Sequence, residues 1–342
     1  MVSVIIGIYN VLTYIDRGIK QVLEQTYQDF EILLVDDGST DGSLAQCHDW
    51  AKKDSRIRVL HQDNHGVGSA RNLGMRHAKG EYLYFFDIDD MMDKHLLEYN
   101  VKQMELLNVD FILFGYKNID TKYGSETTIR FPEALINSNQ ELRNVYVDNF
   151  ILKVNGFAWN KFYRKSFLEK YNLHFEDQRI QQDEVFNLMV YEHLEKAYIS
   201  PDVFYTYYVY EKGNTRSRFI PDRFDIYKSV YDHFEHLKDF WHLNDRRLDN
   251  YMLQRFYNSV MQCMLFNLPH PRNPWSKKEK KAEMARIMAD HLTLDAFAYA
   301  EEHINGIEQR LYRHACRHQN LLEMTLYVNF FRILRNIKRR IL

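Results

Sequence analysis

The stretch 81-EYLYFFDIDD-90 places three carboxylates directly after a short apolar run. An apolar run of this length that is bounded by turn residues is typical of a buried strand. The same order, an apolar run and then polar residues, occurs three times earlier in the chain. The earlier runs are 2–8 before Tyr9-Asn10, 31–35 before Asp36-Asp37, and 57–60 before Asn64-His65-Gly66. The sequence therefore predicts four strands that each end in polar residues.

Helical patterns separate these runs. Apolar residues recur at helical spacing in 13–25, 41–53, 69–78 and 93–107, with Asp41 as the expected N-cap of the second helix. Strands that alternate with helices of this length predict βαβ units, so we expect an α/β fold with a Rossmann-like, mostly parallel sheet flanked by helices. From about residue 224 onward helical patterns dominate. We therefore predict an α/β domain at 1–220 and a helical C-terminal region at 221–342.

The four polar clusters are expected to share one edge of the sheet, where ligands bind in open α/β folds. Each cluster alone is also explained as a turn, because Asp, Asn and Gly favour turns for local reasons. The cluster of Asp87, Asp89 and Asp90 is the strongest, since three adjacent carboxylates repel one another unless a cation lies among them. Divalent cations such as Mg²⁺ are usually held by one or two carboxylates together with substrate phosphates. The alternative is that Asp90 caps a helix that begins near Asp93.

Composition argues against several other classes of protein. The formal net charge of −2 is unlike that of a general nucleic-acid binder, so no nucleic-acid partner is expected. The three cysteines form no CxxC pair, which fits a reducing cytoplasm and neither disulfides nor a zinc site. The N-terminus lacks the basic region of a signal peptide, and no apolar run reaches the roughly 18 residues of a membrane span.

The ordered set of motifs resembles that of family 2 glycosyltransferases. The dense part consists of VSVIIGIYN (2–10), QTYQDFEILLVDDGSTDGS (25–43) and NHGVGSARNLGMRHAKGEYLYFFDIDD (64–90). A thinner part consists of AWNKFY (158–163), QDEVF (182–186) and YTYY (205–208), which many bacterial polysaccharide-assembly transferases share. The resemblance implies a GT-A fold and an inverting transferase that uses a nucleotide-sugar donor.

The resemblance also implies which residues hold the nucleotide. Asp37 would accept a hydrogen bond from the base, on which Tyr9 would pack, and Asn10 would line the same rim. Asn64 would approach the nucleoside, and Arg71 would hold either Asp37 or the nucleotide.

Asp87, Ile88 and Asp89 match the D-x-D signature of the family, and Asp87 and Ile88 are counted with the donor-binding residues. In this signature Asp87 would face the ribose, and Asp89 would coordinate Mn²⁺ or Mg²⁺. Asp90 is a second candidate ligand, with Asp87 close enough in sequence to share the metal.

Asp183 matches the catalytic aspartate of the family and would be the general base. The alternative is an acidic residue at a helix start, stabilised by the helix dipole. Trp159 and Lys161 lie where acceptor-side residues are expected, so the resemblance implies a nucleotide-binding half at about 1–115 and an acceptor half at about 116–220. The family mechanism is a single displacement at an anomeric carbon with oxocarbenium character, which inverts that centre.

Two positions depart from the family pattern. Gly7 replaces a proline, and Gln182 replaces the acid before Asp183, which removes one negative charge beside the expected base. One alternative function is a nucleotidyltransferase, although its glycine-rich basic loop is not found near the N-terminus. Another is a degenerate homologue that binds nucleotide or glycan without turnover, for which Gln182 is the only support.

The C-terminal segment 326–342 carries five basic residues and no acidic one. Its apolar residues recur at helical spacing, which predicts an amphipathic helix that lies on an anionic membrane or packs on the protein. The acceptor expected from the resemblance is a glycan or a lipid-linked glycan. We therefore expect a cytoplasmic protein, which would be peripheral on the inner face of the membrane if the helix lies there. Family habit favours UDP as the nucleotide.

Overall fold

The computed structural model describes residues 1–148, 156–210, 218–303 and 306–341, without the side chains at 301, 302, 332 and 335–341. The chain divides into two compact units. The first comprises residues 1–211 with 236–243, and the second comprises 212–235 with 244–342. The functional division that the sequence places near residue 220 stays a prediction.

The first unit is built on one sheet that has ten strands in the described part of the chain. The strands are β1 (Val2–Ile8), β2 (Phe30–Asp37), β3 (Ile57–Gln62), β4 (Tyr82–Phe85), β5 (Met91–Met92), β6 (Phe111–Asp120), β7 (Ser125–Ile129), β8 (Ala134–Ile136), β9 (Lys161–Arg164) and β10 (Ala197–Val209). Their order is β3-β2-β1-β4-β9-β6-β10-β5, with β7 beside β6 and β8 beside β10.

The first four strands of this order are parallel, as the sequence predicts. β1 pairs in parallel with β2 and β4, and β2 pairs in parallel with β3, so their carboxyl ends share one edge. β9 then runs antiparallel between β4 and β6, and β10 pairs in parallel with β6. The sheet is therefore mixed beyond β4, because a strand from much later in the chain is inserted there.

Helices cover the sheet of the first unit. They are α1 (Leu12–Leu23), α2 (Ser43–Lys53), α3 (Val67–His77), α4 (Leu96–Leu107), α5 (Asn139–Tyr146), α6 (Lys165–Lys170) and α7 (Gln182–His193). In α1 the side chains of Ile15, Ile19 and Val22 lie on one face and are fully buried in the same cluster as β1 and β2. Burial of each such side chain contributes ~1.5–3 kcal/mol, which fixes α1 against the strands that carry the polar rim.

The second predicted helix begins later than expected. It starts at Ser43, and Gly42, which adopts a left-handed conformation with φ of 97°, precedes it. Asp41 is therefore not the N-cap. Its carboxylate instead accepts hydrogen bonds from the backbone N–H groups of Leu12 (3.1 Å) and Ser43 (2.9 Å), so it joins the starts of α1 and α2.

The remaining helices are α8 (Arg223–Phe240), α9 (Arg246–Gln262), α10 (Lys277–Ala289), α11 (His291–His303), α12 (Ile307–Arg317) and α13 (Leu321–Ile341). Within the second unit, Phe224 packs on Phe256 with ring centroids 6.1 Å apart, and Tyr257 packs on Phe297 at 5.1 Å. In the described residues after 224 all regular structure is helical, as predicted. None of the described helices is long and apolar enough to cross a membrane.

Gly18 lets α1 approach the segment after β4. A Cβ atom at this position would lie 2.3 Å from Cγ1 of Ile88 and 2.9 Å from its carbonyl oxygen. We expect Gly18→Ala to lower the free energy of unfolding by ~1–3 kcal/mol, the usual cost of overpacking a core. Urea unfolding followed by circular dichroism measures it.

Gly7→Ala is the matched control, because its Cβ would meet only Cγ2 of Val67, at 3.3 Å. The control is expected to cost less than Gly18→Ala. Equal stability of Gly18→Ala and the wild-type chain would contradict the close packing of α1 on Ile88.

Candidate active site

The ends of β1 and β2 are tied together by side-chain hydrogen bonds. The Oδ1 atom of Asn10 accepts from the backbone N–H of Thr40 at 2.8 Å, and the N–H of Asn10 donates to Oγ of Ser39 at 3.1 Å. Asn10 has a positive φ of 53°, which Asn tolerates better than most residues. The neighbouring side chain of Tyr9 is 39% exposed, so it is free to meet a planar ligand at this rim.

Asp37 is buried and holds the turn that leads into α3. Its carboxylate accepts hydrogen bonds from the N–H groups of His65 (2.9 Å) and Gly66 (2.8 Å) and from Nε2 of Gln62 (2.7 Å). A carboxylate has about four acceptor positions, so three are used by the protein. The predicted contact with a base would need the remaining one and stays a prediction, as does the role of Asn64, which lies exposed in this turn.

The guanidinium group of Arg71 joins two of the predicted site residues. Its Nη2 donates to Oδ1 of Asp87 at 2.9 Å, and its Nη1 donates to Oδ1 of Asp183 at 2.5 Å. The rings of Phe85 and Phe175 lie 5.9 Å and 5.3 Å from the guanidinium carbon. The hypothesis that Arg71 holds Asp37 is wrong for this conformation, because α3 directs the side chain toward the end of β4 and the start of α7.

Charge and burial shift the pKa values at this bridge in definable directions. Burial lowers the pKa of Arg71, but the nearby carboxylates of Asp183 and Asp87 outweigh burial and raise it above its ordinary value. Burial raises the pKa of Asp87 to about 6, against the lowering effect of Arg71, and the charges of Asp183 and Asp89 add to the rise. Asp87 thus has too little positive charge around it to offset its burial.

Asp89 lies two residues after Asp87, but its carboxylate takes no part in the Arg71 bridge. Its backbone carbonyl accepts hydrogen bonds from the guanidinium of Arg17 and from the hydroxyl of Tyr210 (3.2 Å). In the described residues no side chain donates a hydrogen bond to the carboxylate itself. Burial raises the pKa of Asp89, with Arg17 acting in the opposite direction. The backbone is thereby fixed while the carboxylate stays available for a cation.

The carboxylate of Asp90 is hydrogen-bonded to strand β10 within the protein. Its two carboxylate oxygens accept hydrogen bonds from the hydroxyl of Tyr205 (2.8 Å) and the backbone N–H of Tyr208 (2.9 Å), and the residue is 1% exposed. It does not cap the next helix, which begins at Leu96. The pairing of Asp90 with β10 favours a bracing role, and its role as a second metal ligand stays a prediction.

Ile88 does not present its side chain to a ligand. It is 2% exposed and packs in the core of the first unit against Gly18. The middle residue of the signature thus anchors the segment in the core with its side chain, and any contact of Ile88 with a donor would be made by its backbone and stays a prediction. This anchoring leaves Asp87 and Asp89 as the side chains of the signature that reach the rim.

The carboxylates at this rim fit a divalent cation that a substrate also helps to hold. No group of three or more His, Cys, Asp or Glu side chains in the described ranges is arranged to hold a metal on its own. Asp87 and Asp89 supply two carboxylates, and Mg²⁺-type sites commonly use one or two carboxylates plus phosphate oxygens. A metal at this rim would therefore need further oxygen ligands, such as the phosphate oxygens of a substrate.

The predicted acceptor-side residues are both buried. Trp159 is 1% exposed and stacks on Tyr205, with ring centroids 4.3 Å apart and an interplanar angle of 9°. Lys161 is 0% exposed, and its Nζ donates to Oδ1 of Asn160 at 2.9 Å and to the carbonyl of Phe157. Neither side chain is available for direct contact with an acceptor here, so any acceptor role is indirect and stays a prediction.

Sequence reasoning missed one polar residue near Asp183. Asn187 lies one turn further along α7 and is 1% exposed. Its Nδ2 donates to the carbonyl of Asp183 at 2.7 Å, and its Oδ1 accepts from the hydroxyl of Tyr163 at 2.9 Å. The spacing of four residues from Asp183 inside an otherwise apolar stretch is the signal that would have found it.

Comparison with known proteins places this geometry in a family. Residues 3–171 match the model of glycosyl transferase family 2. EpsJ of Bacillus subtilis (strain 168), described as an uncharacterized glycosyltransferase, is 33% identical over 216 residues, which cover 60% of this chain and 60% of EpsJ. The chain thus spans less than two thirds of the length of this relative.

Two solved structures are similar in fold. TarS 1–349 of S. aureus, in complex with UDP-GlcNAc, has a TM-score of 0.61 and 19% identity, with 97% of this chain and 91% of that chain covered. The mannosyltransferase PcManGT of Pyrobaculum calidifontis, in complex with GDP-Man and Mn²⁺, has a TM-score of 0.52 and 16% identity, with 95% and 86% covered. The predicted GT-A fold is confirmed, and residues 3–171 of the chain carry a domain of glycosyl transferase family 2.

Proposed function

We propose that this protein is a metal-dependent, inverting glycosyltransferase that moves a sugar from a nucleotide diphosphate donor to an acceptor hydroxyl. The observation that carries the proposal is the Arg71 bridge, which brings Asp87 of the D-x-D signature and the candidate base Asp183 to one guanidinium group. Asp183 lies 112 positions after Arg71 in the sequence. Their meeting at the sheet edge supports a single reaction centre.

The donor would lie along the rim. Tyr9 and the free acceptor position of Asp37 would meet the base, and Asp89 with Asp87 would hold Mn²⁺ or Mg²⁺ against the diphosphate. When bound, the metal supplies positive charge that neutralises the departing diphosphate. Arg71 supplies a second, fixed positive charge in the same place, since Asp87 and Asp183 keep its guanidinium charged.

Asp183 would act on the acceptor. Its carboxylate takes the proton of the incoming hydroxyl while that oxygen forms a bond to the anomeric carbon and the bond to the diphosphate breaks. Because this is one displacement, an α-linked donor gives a β-linked product. Asp183 lies in the first turn of α7 with its side chain 20% exposed, so a hydroxyl has access to it.

UDP is the proposed nucleotide, supported by the fold similarity to TarS 1–349 in complex with UDP-GlcNAc. The proposed metal is Mn²⁺ or Mg²⁺, supported by the two carboxylates of the signature and by Mn²⁺ in the PcManGT complex. The proposed acceptor is a glycan or a lipid-linked glycan of cell-surface polysaccharide assembly, as the resemblance to such transferases implies.

A screen of donor hydrolysis tests the proposal. The full chain is incubated with Mn²⁺ and a panel of UDP-, GDP- and dTDP-sugars, and the released nucleotide is identified by chromatography. We expect a nucleoside diphosphate from at least one donor and none after chelation by EDTA. Release of pyrophosphate would instead support a nucleotidyltransferase, and no release from any donor would support a homologue without turnover.

The position of Gln182 bears on that last outcome. Gln182 is buried, and its side chain packs against Gly68 of α3, where a Cβ atom would lie 3.2 Å from Cγ of Gln182. The residue that replaces the family's acid is therefore buried against α3, whereas the side chain of Asp183 is 20% exposed. This orientation argues that the substitution leaves the proposed base in place.

We also propose that α13 attaches the protein to an anionic membrane surface. Along one face the helix exposes Leu322, Leu326, Phe330 and Ile333 by 55–69%, while Met324 and Val328 on the other side are buried. The segment 326–342 adds five basic residues and no acidic one, and all five of these basic side chains lie outside the described ones. An exposed apolar row on a helix whose sequence is rich in basic residues fits an interfacial helix.

Liposome flotation tests this attachment. The wild-type chain is expected to float with vesicles that contain anionic phosphatidylglycerol, and Leu326→Ser with Phe330→Ser is expected to abolish flotation. Leu106→Ser is the matched control, because Leu106 is 70% exposed in the first unit and should not affect binding. If the double variant floats as well as the wild-type chain, α13 is not the anchor.

A further inference from the structure

We infer that Lys161 and Asn187 are positioning residues that fix the carboxylate of Asp183 by clamping the backbone at 156–157 onto the first turn of α7. The inference rests on the proposed function, in which Asp183 is the general base. It assigns a role to a buried lysine and a buried asparagine that the proposed chemistry does not otherwise use.

Lys161 is the first part of this clamp. Its Nζ donates to the carbonyl of Phe157 and to Oδ1 of Asn160 at 2.9 Å, and the residue is completely buried. Burial lowers the pKa of Lys161 to about 7, while the charges of Asp183 and Glu184 act in the opposite direction. An amine that accepts such an environment is held there by its hydrogen bonds, since burial of an unpaired polar group is costly.

Asn187 is the second part. Its Nδ2 has two hydrogens and donates to the carbonyls of Gly156 (2.8 Å) and Asp183 (2.7 Å), and it shares one of them with the carbonyl of Phe157 (3.2 Å). The Phe157 carbonyl therefore accepts from both Lys161 and Asn187, which links the two side chains through one atom. The Tyr163 hydroxyl fixes the amide of Asn187 from the other side by donating to its Oδ1.

Gly156 shows how closely the clamped segment lies against α7. It has a positive φ of 40°, and a Cβ atom there would lie 2.6 Å from Cβ and 2.7 Å from Cα of Glu184. Only a glycine lets the backbone approach the helix to this distance. Because Glu184 follows Asp183 directly, the segment rests on the turn of helix that carries the proposed base.

The consequence of this arrangement is that Asp183 is fixed from two sides. Its backbone carbonyl accepts from Asn187, and its carboxylate accepts from Arg71. A general base has to be within hydrogen-bond reach of the proton that it removes. Loosening the clamp is therefore expected to displace the carboxylate and slow transfer, with little effect on the nucleotide rim at β1 and β2.

The variants Lys161→Met and Tyr163→Phe test the clamp. Lys161→Met keeps the length of the side chain and removes its two hydrogen bonds, and Tyr163→Phe removes only the hydroxyl that orients Asn187. We expect kcat for UDP release from the screened donor to fall ~10²-fold in Lys161→Met, because a displacement of about 1 Å has such effects. The Kd of UDP in the presence of Mn²⁺ should stay within about twofold of the wild-type value, which is small compared with the ~10²-fold fall in kcat.

Tyr198→Phe is the matched control for Tyr163→Phe. Tyr198 is also buried in the same sheet, and its hydroxyl donates to Glu133 at 2.7 Å instead of to the clamp. We expect kcat to fall in Tyr163→Phe and to stay at the wild-type value in Tyr198→Phe. Equal kcat values in the two variants would overturn the inference even if Lys161→Met does not fold.

A double-mutant cycle separates this inference from the proposed function. If Lys161 acts through Asp183, Lys161→Met should cause no further loss of kcat in an Asp183→Asn background. An additive loss would overturn the inference while leaving the proposed function intact. A wild-type rate in Asp183→Asn alone would overturn the proposed role of Asp183 as the general base.

Hydrogen exchange tests the clamp without any activity. Lys161→Met should speed amide exchange in residues 182–185, with β1 and β2 unchanged. Unchanged exchange in 182–185 would overturn the inference even if the chain releases no UDP.

Discussion

Asp183→Asn is expected to lower the rate of sugar transfer by ~10²–10⁴-fold, the usual contribution of a general base. The amide has the size and shape of the carboxylate and can still accept a hydrogen bond from Arg71. It cannot take a proton from the acceptor hydroxyl. UDP binding in the presence of Mn²⁺ should therefore remain close to that of the wild-type chain, while kcat for donor cleavage falls.

Steady-state release of UDP and calorimetric titration of UDP measure the two effects separately. Glu195→Gln is a matched control, since Glu195 is an exposed acid just after α7 and takes no part in the proposed site. A wild-type rate in Asp183→Asn would show that the base lies elsewhere. The next candidate would then be Glu184, which is buried beside Gly156.

The second large effect is expected for Asp89→Ala at the proposed metal site. The backbone of Asp89 is held by Arg17 and Tyr210 through its carbonyl oxygen, so removal of the carboxylate should leave the segment in place. Removing a residue that only hydrogen-bonds to a metal ligand lowers metal affinity by roughly 10–100-fold. Loss of a ligand should cost at least as much, and the Mn²⁺-dependent part of UDP binding should weaken by ~10²-fold or more.

Titration of UDP with and without Mn²⁺ measures this effect. Asp63→Ala serves as the control, because Asp63 is an exposed acid close to the rim that has no proposed contact with the metal. The circular dichroism spectrum of Asp89→Ala should match that of the wild-type chain. Unchanged Mn²⁺-dependent affinity in Asp89→Ala would rule out this site.

The parallel half of the sheet could be predicted because its signals are local. Each apolar run of β1, β2 and β4 is followed directly by the polar residues that reach the rim, and the intervening helices fix the direction of the strands. The insertion of β9 between β4 and β6 could not be predicted in this way. The pairing of β9 with β4 joins residues about eighty positions apart, and no local sequence pattern indicates where in the sheet such a late strand is inserted.

The candidate site shows the same limit at the level of side chains. The motifs identified Arg71, Asp87 and Asp183, but only the fold shows that one guanidinium group joins the two carboxylates. The motifs also do not record which way a side chain faces. Trp159 and Ile88 matched family positions and yet are buried in the core, because packing against Tyr205 and Gly18 decides their orientation.

The central claim is that this site transfers a sugar by a single displacement. One time-resolved NMR experiment tests it most directly: the full chain is mixed with Mn²⁺ and an α-linked UDP-sugar chosen by the screen, with water as the acceptor. For a single displacement we expect the β anomer of the free sugar to appear first in the ¹H spectrum, before mutarotation, and UDP to appear in the ³¹P spectrum. First appearance of the α anomer, or of pyrophosphate in place of UDP, would contradict it.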